Sequence, residues 1–136
     1  MNLQALETEI DALHAMETPD PDRSQAAVVA LLRALDSGEV RSARRGEAGW
    51  QAVSWVKRGI LLAFRIGQTR EFTPWRRSEN PEFGGSDFHF ADRDTLPLRR
   101  MDGRAEGVRS VPGGSAVRSG AHLARGVVVM PPAYIN

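Results

Sequence analysis

The sequence contains no cysteine. That excludes disulfides, thiolate metal sites and a cysteine nucleophile, and it fits a reducing compartment. Lysine is nearly absent too: Lys57 is the single one, and arginine supplies the other positive charges. Long apolar runs are missing, none approaching the roughly 20 residues a membrane helix needs. The N-terminus, MNLQALETEIDALHAM, carries acidic residues and no basic stretch before an apolar run, so it is not a secretory signal. A soluble, cytoplasmic protein without a membrane partner is expected. An excess of one charge is lacking as well. The formal net charge is +1, with 26% charged residues. Near-balance argues against a chain built mainly to bind nucleic acid or an anionic membrane. The arginine bias has two readings. Guanidinium is the better bidentate partner for carboxylate and phosphate, or the bias reflects a genome also rich in Ala and Gly codons.

The 136 residues, 41% of them hydrophobic, suffice for one modest domain with one core. Leu3, Leu6, Ile10, Leu13 and Met16 recur at spacings of three and four, a single stripe on a helix. Thr18-Pro19-Asp20-Pro21-Asp22 ends it. Asp22 or Ser24 then caps a second helix with the stripe Val28, Leu31, Leu32, Leu35. Asp36-Ser37-Gly38 closes that helix, Gly38 suiting the left-handed C′ position. Val40 to Arg44 and Trp50 to Val53 read as a hairpin, with Gly46 and Gly49 between them. Residues 59–66, GILLAFRI, fit a buried strand or a helical segment, and their length favours a strand. Residues 67–107 read as a long irregular connection, with Trp75, Phe83, Phe88 and Phe90 pinning it to the domain.

The last segment, VRSGAHLARGVVVMPPAYIN, is different. Val117, Leu123, Val129 and Ile135 are spaced by six, and Ala121, Val127 and Ala133 follow the first three at an offset of four. A period of six belongs neither to a helix nor to simple strand alternation. It is the mark of a parallel β-helix of hexapeptide repeats, in which each hexapeptide makes one flat side and one corner of a triangular coil. The aliphatic residue points inward, and the small one fits where the interior narrows. Residues 117–134 then make about one coil. A solenoid needs several coils, so the chain reads as truncated, completed by another polypeptide, or part of a longer product. A plain pair of hydrophobic strands is the competing reading.

The block DSGEVRSARRGEAGWQAVSWVKRGILLAFRI, residues 36–66, closely resembles the N-terminal domain of tetrahydrodipicolinate N-succinyltransferases. Asp36-Ser37-Gly38, Arg41, Gly49-Trp50, Trp55, Lys57, Leu61-Leu62 and Phe64-Arg65-Ile66 carry the likeness. Phe90-Ala91-Asp92 is a second match. GVRSVPGGSAVRSGAHLARGVVVMPPAYIN, residues 107–136, resembles the entry into that family's β-helix. Two departures stand out: residues 67–106 fit poorly, and the step Pro112-Gly113-Gly114-Ser115 is one residue longer.

The resemblance implies an α+β N-terminal domain (two helices, hairpin, strand) leading into the start of a left-handed parallel β-helix. The expected units are residues 1–66, an irregular connection 67–107, and the coil start 108–136. It also implies an acyltransferase of lysine (diaminopimelate) biosynthesis, acting as a trimer with sites between neighbouring β-helices. The amine of the ring-opened acceptor, an amino-oxo dicarboxylate, attacks the thioester of succinyl-CoA. A carboxylate takes the proton and backbone N–H groups hold the oxyanion. Succinyl-CoA is a co-substrate, and no bound cofactor is expected. The family continues beyond residue 136, where its general base and acyl-CoA site lie. No catalytic residue is therefore expected in this chain, which alone is expected to be inactive. Arg109 falls where the family places a substrate-binding arginine, and a dicarboxylate needs a fixed cation.

Other residues attract weaker readings. Arg118 and Arg125 are expected to be solvated or to lie between subunits. His122 is expected to point outward, and as a base it lacks a carboxylate to orient it. His14, His89 and His122 show no metal-ligand spacing. Trp50 and Trp55 are expected in the core rather than on a binding platform. Asp92 and Asp94, beside Arg93, form an acid–base pair or solvated carboxylates. Gly113-Gly114 is too short for a phosphate loop and lacks the lysine. Two further readings compete with the enzyme: a non-catalytic assembly or regulatory module derived from the family, and an Arg-rich binder of single strands through residues 67–107. The interleaved Glu71, Glu79, Glu82, Asp87, Asp92 and Asp94 argue against the last.

Overall fold

A computed structural model describes residues 2–72 and 90–136. Helices come first and short strands follow, an α+β arrangement. Helix α1 spans Leu3–Ala15, started by the Asn2 side chain accepting the Ala5 amide at 2.8 Å. Leu6, Ile10 and Leu13 of its stripe are buried, whereas Met16 lies past the end and is exposed. Helix α2 spans Pro21–Ser37. Its cap is Asp20, which accepts the Arg23 amide at 2.7 Å, and not the expected Asp22 or Ser24. The reason is Pro21: it occupies the first helical position, where its missing N–H costs nothing. Ser24 is instead a fully buried residue of the helix face. Gly38 takes the expected left-handed conformation, φ 78°.

Strands β1 (Ala43–Gly46) and β2 (Gly49–Ala52) form an antiparallel hairpin as expected, but the first strand starts at Ala43 rather than Val40, and Gly46 and Gly49 are its last paired residues rather than part of the turn. Residues 59–66 are not a strand. They belong to helix α3, Ser54–Ile66. The helical period becomes visible only from Val56, since Val56, Gly59, Leu62 and Ala63 are the buried positions. Gly59 looks like a boundary in the sequence but is a contact point. A Cβ there would lie 2.3 Å from Cδ2 of Leu31 and 3.1 Å from Cδ1 of Ile10. The missing side chain lets three helices meet, and their stripes form one core with Val40 and Leu96. Arg58 clamps α3 to α1 through paired bonds of 2.7 Å to Asp11. Arg65 donates to the carbonyls of Leu13, His14 and Met16, satisfying the end of α1.

The connection expected to be irregular contains regular elements. Strand β3, Thr69–Phe72, pairs antiparallel with β4, Phe90–Arg93. Trp75, Phe83 and Phe88, expected to pin it, lie outside the described residues, as does His89. Thr95 is buried, its hydroxyl donating to the Ala63 carbonyl at 2.7 Å, and Leu96 enters the helical core. A single-turn helix α4, Gly103–Glu106, follows.

Four two-residue strands complete the chain: β5 (Arg109–Ser110), β6 (Ala116–Val117), β7 (Val128–Val129) and β8 (Tyr134–Ile135). Both pairings are parallel. Ala116 pairs with Tyr134 and Val117 with Ile135, three hexapeptides further along. Arg109 pairs with Val128, one residue beyond that interval. The difference puts one extra residue between β5 and β6, where the sequence has Pro112-Gly113-Gly114-Ser115. Val117, Ala121 and Val129 are buried, and Leu123 and Ile135 are half-buried.

Candidate functional site

Arg109 is placed by its backbone. Asp102 caps α4 by accepting the amides of Arg104 and Ala105, and Gly107 ends it in the left-handed region at φ 69°. The buried Val108 donates its amide to Gly103. The Arg109 amide then donates to Val127 at 2.9 Å, and that of Gly126 to Gly107 at 2.8 Å. The Arg109 side chain is exposed beside its strand partner Val128, itself 44% exposed. Ser110, one residue on, borders an open depression of about 330 Å³ with Leu98, Arg99, Met101, Ser115 and Val117. Alternation along the strand turns Arg109 away from that depression and toward the outer surface.

Arg99 holds this arrangement from behind. It donates to Glu106 Oε2 at 2.6 Å and to the Ala121 carbonyl at 2.8 Å, with only 11% of its side chain exposed. The other Glu106 oxygen accepts the Asp102 amide. The same guanidinium lies 3.7 Å from Asp36, at the end of α2. Asp36 in turn accepts the Ser119 hydroxyl and the Gly120 amide. The helical domain and the strand region therefore meet at one charged node: Asp36, Arg99 and Glu106. Residue-level reading passed over Arg99. Asp36 stands out in the sequence as a helix end and as part of the matched block, but nothing local marks it as the acceptor for Ser119 and Gly120.

Several expectations are corrected. Arg118 is not solvated: its side chain is 12% exposed and donates to Asp92 at 2.6 Å. Asp92 and Asp94 do not face each other as acid and base. Asp94 accepts the Gln68 amide and pairs with Arg70 at 2.7 Å. The Arg93 amide and then Arg118 hold the Asp92 carboxyl below its ordinary range, and the Gln68 amide and then Arg70 do the same for Asp94. Carboxylates made more acidic in this way are poor proton acceptors at neutral pH. His122 packs over Gly38, its Nδ1 3.0 Å from the Asp36 carbonyl. Trp50 is 74% exposed and not in the core, on a hairpin whose two strands are exposed along most of their length; Trp55 is partly buried against the core. Arg125 is exposed, with its guanidinium against Gly107. Among the described residues no group of three His, Asp or Glu side chains is arranged to hold a metal ion, and no helix is long and apolar enough to cross a membrane.

The described residues thus form a three-helix unit with a hairpin, followed by short parallel strand pairs. Residues 5–66 match a family model described as tetrahydrodipicolinate N-succinyltransferase N-terminal. Curated relatives named 2,3,4,5-tetrahydropyridine-2,6-dicarboxylate N-succinyltransferase match nearly the whole chain. That of Proteus mirabilis is 34% identical over 98% of this chain and 47% of its own length. That of Paramagnetospirillum magneticum is 36% identical over 100% of this chain and 47% of its own length. One from Cereibacter sphaeroides is 33% identical over 100% of this chain and 48% of its own length. The chain belongs to the tetrahydrodipicolinate N-succinyltransferase family. It spans about half the length of the curated relatives it matches.

Proposed function

We propose that this chain supplies the N-terminal domain and an acceptor-binding arginine of a succinyl-CoA-dependent N-succinyltransferase acting on tetrahydrodipicolinate. The reaction forms a C–N bond between the acceptor amine and the succinyl carbonyl, breaks the C–S bond, and releases coenzyme A as the amine loses a proton. Arg109 is the proposed anchor for an acceptor carboxylate, and no residue of this chain is assigned as the base. Residues 108–136 begin a left-handed β-helix, residues 1–66 are the N-terminal domain, and 67–107 connect them. Assembly is as a cytoplasmic homotrimer with acceptor sites between neighbouring coils. The observation that carries the reading is a parallel register three hexapeptides long, in a chain whose residues 5–66 match that family's N-terminal model. An outward arginine suits a site shared between subunits. The test is a chimera in which this chain replaces the matching half of the Proteus mirabilis relative. Succinyl transfer is expected. Arg109→Ala in the chimera should raise KM for the acceptor while leaving that for succinyl-CoA unchanged. A folded, trimeric chimera without activity would overturn the proposal.

A further inference from the structure

We infer that Arg125 supplies the second cation of a two-point clamp, so that Arg109 and Arg125 together select an acceptor with two carboxylates. The inference rests on the reading of Arg109 above and deepens it. A dicarboxylate presents two separated anions, and one guanidinium satisfies one of them. A pocket with a single arginine would hold a monocarboxylate as well as a diacid.

The backbone brings the two residues together. The amide of Gly126 donates to Gly107, and that of Arg109 donates to Val127, so residues 125–127 run alongside residues 107–109. The Arg125 guanidinium lies directly over Gly107. Its Cζ is 3.1 Å, and its nitrogens 3.2 and 3.3 Å, from where a Cβ on residue 107 would sit. Glycine at 107 therefore does two things: it takes the left-handed turn after α4, and it leaves the space the guanidinium occupies. Gly107 and Arg109 are two residues apart, about 7 Å of chain at most. The Arg125 guanidinium thus lies beside the strand that carries Arg109, near enough for one seven-carbon diacid to reach both side chains.

The other arginines anchoring this region are committed. Arg99 is bound to Glu106 and Arg118 to Asp92. Among the described residues Arg109 and Arg125 form no ion pair, and both are exposed. Two neighbouring uncompensated cations repel each other, and a ligand with two anionic ends relieves that repulsion.

The experiment is calorimetric titration of the trimeric chimera described above, with this chain's unaltered sequence as wild type, at low ionic strength, with heptanedioate and with its monomethyl ester. Heptanedioate should bind wild type about tenfold or more tighter than the monoester, the factor expected for one further charge-assisted contact. Arg125→Gln should abolish that preference and leave monoester affinity within about twofold, because a contact the monoester does not make is all that is lost. Arg109→Gln should weaken both ligands. Both side chains are exposed, so neither change threatens the fold. Retention of the diacid preference in Arg125→Gln, with Arg109→Gln still weakening both ligands, removes the clamp and keeps the role of Arg109. If neither change matters, both readings fall; if wild type binds the diacid no better than the monoester while Arg109→Gln weakens both ligands, the clamp alone falls.

Discussion

The carboxylate of Asp36 accepts the amide hydrogen of Gly120 at 2.7 Å, joining residues 84 positions apart. Its second oxygen takes the Ser119 hydroxyl at 3.0 Å, and its backbone carbonyl meets His122 Nδ1 at 3.0 Å. One residue at the end of α2 thus organises the first turn after β6. Gly120 adopts φ 99°, and a Cβ there would come within 3.1 Å of Leu32, so the turn sits directly on the helix.

Asp36→Ala should therefore cost about 2 kcal/mol, since it leaves a partly buried amide and hydroxyl without an acceptor. Asp36→Asn should cost less, because its amide oxygen still accepts one of the two bonds. Urea denaturation measures the loss. Amide exchange should place it in residues 116–122 rather than in α1 or α3. Unchanged exchange at Gly120 would show that the contact does not hold the turn.

Gly59→Ala weighs two opposing effects. Alanine in a helix interior gains about 1 kcal/mol over glycine. Against that, the new methyl would lie 2.3 Å from Leu31, itself 1% exposed and enclosed in the core. Overpacking of this kind costs about 1–3 kcal/mol, so net destabilisation is expected. Leu31→Val in the same chain should recover part of it. A Gly59→Ala protein as stable as wild type would mean that the three helices part easily at this point.

That glycine also shows where the sequence was legible and where it was not. The stripes of α1 and α2 stand out because each helix buries one face and exposes the other. In α3 the run 59–66 is apolar almost throughout, although Leu61 and Phe64 are about half exposed. Period gave way to length as the criterion, and a glycine serving a helix crossing passed for a strand boundary. The hairpin was visible from its glycines, but Trp50 was misjudged, because apolar character says nothing about whether another element lies above it. Arg99 and Arg118 were opaque for a related reason. Nothing local marks an arginine that will be buried, since its partners Glu106 and Asp92 are set by tertiary contacts. The six-residue spacing of Val117, Leu123, Val129 and Ile135, by contrast, was readable because it needs no partner to be seen.

Arg99→Ala tests the support behind Arg109. It removes the bonds to Glu106 and Ala121, and each charge-assisted bond is worth about 1.5–3 kcal/mol. Faster amide exchange at Val108, Arg109 and Gly126 is expected, with the Leu31 and Leu62 regions unaffected. Glu106→Gln, which keeps an acceptor at Oε1, should give a smaller effect on the same amides. Equal exchange in wild type and Arg99→Ala would assign the placement of Arg109 to its strand pairing alone.

The Asp92–Arg118 pair predicts a response to acid. The Arg93 amide first, and the Arg118 guanidinium second, hold the Asp92 carboxyl below its ordinary value. A carboxyl that is more acidic folded than unfolded stabilises the fold above the unfolded pKa, near 3.9. That contribution is lost as pH falls through the lower folded value. The window therefore lies below about pH 4, and neutral pH is a plateau. Asp92 is 46% exposed, so solvent screens its share of the energy. Arg118 is not so placed. Its side chain is 12% exposed, and its buried Nε has no hydrogen-bond partner among the described residues. Once Asp92 is protonated, Arg118 is left as a largely buried cation without its counter-charge, an arrangement that favours local opening. Carboxyl NMR titration should show Asp92 protonating below the usual carboxylate range. The amide of Arg118, which donates to Ile135, should lose protection over the same range while α1–α3 remain intact. Asp92→Asn should show the reduced protection already at neutral pH, with no further acid step at Arg118. An Asp92 that titrates at the ordinary value, or an Arg118 amide unmoved by its protonation, would show that this ion pair does not fasten β6 to β4.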